Sequence, residues 1–202
     1  MNQRFNSRPY VRAAALVFLT LVAAGSAFAT DSISGTSTAV LVSDGPRAGM
    51  WKYTIQYQWA SQTPVYQITF DLGLAACPCI CMDVFDFDFP AGASPGNYGD
   101  CMAYFNGKFS CDGDHWVGLT TPSLDWWPYT SSCRPSGSGT GQLVMYSELS
   151  PKTVLSPADN LYMRSGPVYV KGKVSGQVPS CHGCSNVSVE ESTWGWIKSV
   201  YR

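Results

Sequence analysis

From Trp51 to Trp59 the chain alternates without a break. Trp51, Tyr53, Ile55, Tyr57 and Trp59 are apolar or aromatic, and Lys52, Thr54, Gln56 and Gln58 between them are polar. A β-strand sends successive side chains to opposite faces, so this run makes one face dry and the other wet. On a helix the same rings would be spread around the whole circumference. Residues 60–64 are turn-like, and then Tyr66, Ile68, Phe70, Leu72 and Leu74 alternate with Gln67, Thr69, Asp71 and Gly73. Two such runs with a short link predict a β-hairpin.

Shorter stretches of strand character lie at 39–43, 84–89, 115–120, 142–148, 161–164 and 168–174. Between them stand clusters of Gly, Pro, Ser, Asn and Asp, notably 90–99 and 134–141, which is turn and loop chemistry. The stretch 136–141 reads as a flexible loop. Up to residue 176 no segment of helical length keeps a 3.6-residue period. The expected class is all-β: a single antiparallel β-sandwich over 30–176, immunoglobulin-like or jelly-roll-like, with a barrel as the alternative. A tail over 177–202 holds a Cys-His-Gly-Cys element and a Trp/Tyr-rich end. Ser192 or Thr193 can cap a short final helix there, with an extended segment as the rival.

Residues 1–29 have the form of a cleavable signal peptide. Arg4, Arg8 and Arg12 precede an apolar stretch from Ala13 to Phe28, which closes on Ala27-Phe28-Ala29. Cleavage after Ala29 sends the protein to the periplasm or the cell exterior. It removes three of the 13 basic residues and none of the 14 acidic ones, leaving ten against 14 and a formal charge of −4. Such a chain offers no electrostatic footprint for nucleic acid. No later segment is apolar enough for membrane insertion.

All eight cysteines, Cys77, Cys79, Cys81, Cys101, Cys111, Cys133, Cys181 and Cys184, follow that site. An even number in an exported chain reads first as disulfides. Eight cysteines allow 105 pairings, so connectivity stays open. If Cys181 joins Cys184, the three of the Cys77-Pro78-Cys79-Ile80-Cys81 run can each take one of Cys101, Cys111 and Cys133. Two rival chemistries are a thiophilic metal held by that run with further ligands from Cys181, His182 and Cys184, and a redox dithiol at Cys181 and Cys184. The export signal favours disulfides over both.

The W-x-Y-x-I-x-Y run from Trp51, with the following Ile68-Thr69-Phe70-Asp71-Leu72, resembles the N-terminal hairpin of bacterial exported sandwich domains of the choice-of-anchor and PEP-CTERM-associated kind. The resemblance covers about 25 residues and implies an immunoglobulin-like sandwich on or outside the cell. It carries over no catalytic residue. The Pro-Glu-Pro motif, closing hydrophobic helix and basic tail of that pattern are absent from this sequence.

Other groups bear on function. In Asp83-Val84-Phe85-Asp86-Phe87-Asp88-Phe89 the three phenylalanines share one face and Asp86 and Asp88 the other, about 7 Å apart along a strand. That spacing suits Ca²⁺ or an acid/base pair for glycoside hydrolysis, against the plainer reading of a solvated strand face. Asp112-Gly113-Asp114 reads as a turn. Trp126, Trp127 and Tyr129 are either a stacking platform for sugar rings or part of the core. His115 and His182 belong to no nucleophile motif, and no catalytic residues are assigned. The sequence therefore predicts an exported, non-catalytic binding or structural protein, with no cofactor unless calcium. A polysaccharide or a cell-surface protein is the expected partner. The rivals are a carbohydrate-binding module, a hydrolase or thiol oxidoreductase, and a subunit that self-associates through the segment from Trp194 to Tyr201.

Overall fold

The computed structural model describes residues 30–73, 80–95 and 102–180. The strands among them are β1 (Ser32–Leu41), β2 (Trp51–Ser61), β3 (Val65–Asp71), β4 (Phe85–Asp86), β5 (Gly92–Pro95), β6 (Met102–Ser110), β7 (Ser123–Pro128), β8 (Gly137–Ser147), β9 (Pro151–Val154), β10 (Leu161–Ser165) and β11 (Val168–Pro179). Two 3₁₀ turns, Gly45–Arg47 and Ile80–Met82, are the helical elements among the described residues.

The all-β expectation holds, but in place of two stacked sheets one sheet closes on itself. Its order is β1-β2-β8-β5-β6-β7-β3-β10-β11, and β11 then pairs with β1. The closing pair is parallel, Ser34 to Ser37 against Lys173 to Gly176, whereas every other pairing is antiparallel. The result is a closed nine-stranded mixed barrel. β4 and β9 add short pairings to β8 and β11 outside that circuit. Closure abolishes the free edges that a sandwich leaves.

Glycines make the seam. A Cβ at Gly172 would stand 1.8 Å from the Ile33 carbonyl oxygen, and one at Gly176 2.2 Å from that of Ser37. Gly176 also has φ +102°, a conformation that L side chains rarely adopt.

The alternation from Trp51 becomes β2 as expected. Tyr53, Ile55, Tyr57 and Trp59 are buried in the interior with Leu143, Met145, Phe105, Phe70 and Ile68. The predicted hairpin does not form. β2 is paired along its length with β1 and with β8, while β3 pairs with β7 and β10. Both edges of β2 are filled, so residues 62–64 lead instead to a strand that does not pair with it. Ser61 and Ser165 each donate a hydroxyl to the Thr63 carbonyl there, at 2.6 and 3.0 Å.

Three further expectations are corrected. The supposed loop at 136–141 is strand from Gly137 onward, the start of β8. Gly139 and Gly141 pair with Trp59 and Tyr57, and a Cβ at Gly141 would come within 2.6 Å of the Tyr57 ring. The glycines make room for rings inside the barrel. The loop at 90–99 contains β5, and the strand expected at 115–120 is a turn in which the Leu119 N–H bonds the Asp114 carbonyl at 2.9 Å. At the C-terminal boundary β11 continues past 176 to Pro179. The Cys-His-Gly-Cys element, the expected final helix and the segment from Trp194 to Tyr201 lie outside the described residues, as does the signal segment 1–29.

Candidate ligand-binding site

On β7, Leu124 and Trp126 point into the barrel and are fully buried, so Ser123, Asp125 and Trp127 take the outer wall. Asp125 stands opposite Thr69 of β3 on one side and Lys108 of β6 on the other. A loop leaving β6 then folds back over this wall. Its fold depends on Gly113, with φ +78° and space for a Cβ closed off 2.4 Å away by the Leu119 carbonyl oxygen. Ser110 donates its hydroxyl to the Gly113 carbonyl at 2.8 Å. The bridge between Cys81 and Cys111 anchors the root of the loop.

The loop lays Asp114 onto the strand face. Its Oδ2 accepts from Thr69 Oγ1 at 2.8 Å and from Gln67 Nε2 at 2.5 Å, and its Oδ1 accepts from the Trp116 N–H at 2.8 Å. Gln67 Nε2 also reaches Asp125 Oδ1 at 3.3 Å, and Ser123 Oγ reaches Asp125 Oδ2 at the same distance. Two carboxyl groups, Asp114 at 5% exposure and Asp125 at 7%, thus share one amide donor. Burial pushes the Asp125 carboxyl above the usual range, and the charge of Asp114 adds to that against the hydrogen bonds from Thr69, Gln67 and Ser123.

Above this floor opens a cavity of about 460 Å³, walled by Lys108, His115, Trp116 and Trp127. Trp116 is 60% exposed and Trp127 36%. Arg164 of β10 lies over the Trp116 ring, 4.2 Å from its centre. The same Arg164 and Arg134 flank Tyr66, at 5.9 and 4.2 Å from its ring centre. Cations and rings thereby alternate along the wall, an arrangement that holds each ring at a set angle. Elsewhere a depression of about 480 Å³ lies over Ser34, Thr36, Gln56, Gln58 and Thr140. Its glutamines are engaged with Gln142 and Ser34, and among the described residues no charged side chain lines it.

The expected platform is split. Trp126 belongs to the core, edge-on to Phe87 with ring centres 5.9 Å apart, because the outer positions of β7 fall on the odd-numbered residues. Trp127 remains outside in the cavity wall, and Tyr129, 61% exposed, continues the same face and meets Phe89 edge-on at 5.1 Å.

The strand expected at 84–89 is reduced to Phe85–Asp86; Phe85 and Phe87 pack against the core, Phe89 is exposed, and Arg47 fills the place between Asp86 and Asp88. Its Nε donates to Asp86 Oδ2 at 2.6 Å, Nη1 to Asp88, and Nη2 to the Phe87 carbonyl at 3.0 Å. Tyr146 adds its hydroxyl to Asp88 at 2.7 Å and its ring to the guanidinium at 4.0 Å. The hydrogen bond from Arg47 holds the Asp86 carboxyl low. At Asp88 the hydrogen bonds from Tyr146 and Arg47 outweigh burial, with the same result. A cation already occupies the position expected for calcium, and neither carboxyl is poised as a proton donor near neutral pH. This cluster clamps the loop between β1 and β2 onto β4.

Cys81–Cys111 joins the Cys-x-Cys-x-Cys run to one of its expected partners, and Cys133 is also disulfide-bonded. No group of three or more metal-ligating side chains occurs among the described residues. Cys77, Cys79, Cys101, Cys181, His182 and Cys184 lie outside them. His115 is exposed on the cavity rim.

Gln67, Asp114, Trp116 and Asp125 were not anticipated together. Part of the signal was available: Ser123-Leu124-Asp125-Trp126-Trp127 alternates at period two, which separates the two tryptophans and turns Asp125 outward with Trp127. Nothing local tells that the turn at Gly113 would bring Asp114 onto β3. The chain matches no protein-family model, no curated protein and no solved structure.

Proposed function

We propose that this chain is an exported, non-catalytic binding protein whose ligand occupies the cavity on the outer wall of β3, β6 and β7. The observation that carries this reading is the pairing of two exposed indoles, Trp116 and Trp127, with a floor of two buried carboxyl groups. Exposed tryptophans beside convergent polar groups are the usual make-up of a recognition site. Mutual hydrogen bonding of the floor groups keeps them in place before any ligand arrives. Export rests on the form of residues 1–29 and on the number of cysteines beyond them.

The test is ligand-observed NMR on the chain beginning at Thr30, with a fragment library spanning anionic, cationic, neutral polar and aromatic compounds. The reading expects hits whose signals are lost in Trp127→Ala and weakened in Asp114→Asn. A library without Trp127-dependent hits would overturn it. Recovery of the chain from the exported fraction without residues 1–29 tests the other half.

A further inference from the structure

The character of the wall around the cavity narrows the ligand class. Lys108 lines the same cavity as Asp114 and Asp125, with His115 beside them, so an ammonium and two carboxyl groups meet within one small space. An anionic ligand would be brought against two carboxyl groups. A cationic one would meet Lys108, and Arg164 behind Trp116. The donor and acceptor set suits instead an uncharged molecule rich in hydroxyls, which both donate to carboxylates and accept from ammonium or amide N–H groups.

The rings add a second requirement. Arg164 covers one face of Trp116, and the ring is nevertheless 60% exposed, so its remaining surface is open to the cavity. Tyr129 follows Trp127 by two positions, one residue past the end of β7, a step of about 7 Å in extended backbone. Phe89 buttresses Tyr129, and the Tyr129 N–H is fixed to the Tyr104 carbonyl at 2.7 Å. A row of fixed, flat apolar faces leading out of a polar pocket matches a linear chain of rings. Each ring of such a chain has an apolar C–H face and hydroxyls at its rim. A purely apolar partner would desolvate the polar groups on the cavity wall, Lys108 and His115, without matching them.

Resting on the binding role proposed above, we infer that the ligand is an uncharged oligosaccharide. One sugar ring enters the cavity between Trp116 and Trp127 over Asp114, and the chain continues across Tyr129.

An array of neutral and uronic-acid glycans, followed by titration of the best binder as a disaccharide and as a hexasaccharide, tests this. The expected result is binding of at least one neutral hexasaccharide, about tenfold weaker in Trp127→Ala, or one decade of Kd. Tyr129→Ala, at an exposed position, is expected to weaken the hexasaccharide several-fold and leave the disaccharide unchanged. Thermal unfolding of each variant separates lost binding from lost folding, and Trp127→Phe serves if the alanine variant is unstable. Three outcomes overturn the inference: binding confined to uronic-acid glycans, no glycan binding, or sedimentation showing a dimer that Tyr129→Ala dissociates. If glycans fail while Trp127-dependent fragments still bind, the saccharide class falls and the cavity stands. If neither binds, both readings fall.

Discussion

The guanidinium of Arg164 lies over the indole of Trp116, 4.2 Å from the ring centre, and joins a residue of β10 to a loop that belongs to β6. Trp116 is otherwise held by its N–H bond to Asp114. One wall of the cavity is therefore set by a contact from outside it.

Arg164→Ala is expected to lower stability by only about 0.5–1 kcal/mol, the size of an exposed cation–π contact. It should, however, weaken cavity ligands several-fold, because Trp116 must then be ordered by the ligand itself. Arg164→Lys restores the charge without the flat stacking surface and is expected to recover only part of the affinity. Fluorescence anisotropy and ligand titration on the three proteins measure this. Equal affinity in all of them would show that Trp116 is not part of the site.

Asp125 gives a pH dependence of definite sign. Its folded-state pKa is raised above the ordinary 3.8 by burial, so its ionised form is penalised in the folded protein at neutral pH. The penalty fades as pH falls through the raised value toward 3.8. Asp125→Asn is therefore expected to be more stable than wild type at pH 7, by about 1 kcal/mol. That advantage should disappear in acid. Urea unfolding at pH 7 and pH 4 measures the difference at both ends.

Asp86 and Asp88 behave in the opposite sense. Their folded-state values lie below 3.8, so their contribution is complete above that pH and is lost as pH falls through the lowered values. Both are about half exposed, which keeps the ion pairs small, at most about 1 kcal/mol together. Arg47→Ala should cost that much plus the packing on Tyr146. Its unfolding midpoint should approach that of wild type as the medium is acidified.

Gly172→Ala tests the seam. A Cβ there would collide with the Ile33 backbone rather than with a side chain that can turn away. The expected cost is about 2–3 kcal/mol or more, read as a lower urea midpoint. The same change at Gly139, whose Cβ would sit 3.4 Å from the Trp59 ring, should be much milder. A seam variant with unchanged stability would show that the strands can part slightly without loss.

How far the residues disclosed their own arrangement depends on the range of the interaction concerned. β2 was legible because its side chains alternate against a dry interior, and β10 and β11 because short runs of strand-forming residues stand there between turn signals. The pairing of β2 was not, since alternation sets the face of a strand and leaves its neighbours open. Glycine misled where a ring on the opposite strand supplied the bulk: Gly139 and Gly141 read as loop because Trp59 and Tyr57 are some 80 residues away. The cavity was half legible. Trp127 stood out by type, whereas Asp114 gained its place from a turn conformation and a bridge between Cys81 and Cys111.

The parallel pairing of Ser34 with Lys173 also governs timing. The first described strand finds its second neighbour only in the last described one, so the wall cannot be completed before residues 168–179 have emerged. Contacts so distant in sequence fold slowly. Until β11 arrives, β1 keeps an unpaired row of backbone donors and acceptors, open to any other strand nearby. The closing seam of the barrel is thus made after its other pairings have become possible. A helper that shields β1 during that interval should raise the yield of folded protein more than one acting after β11 has docked.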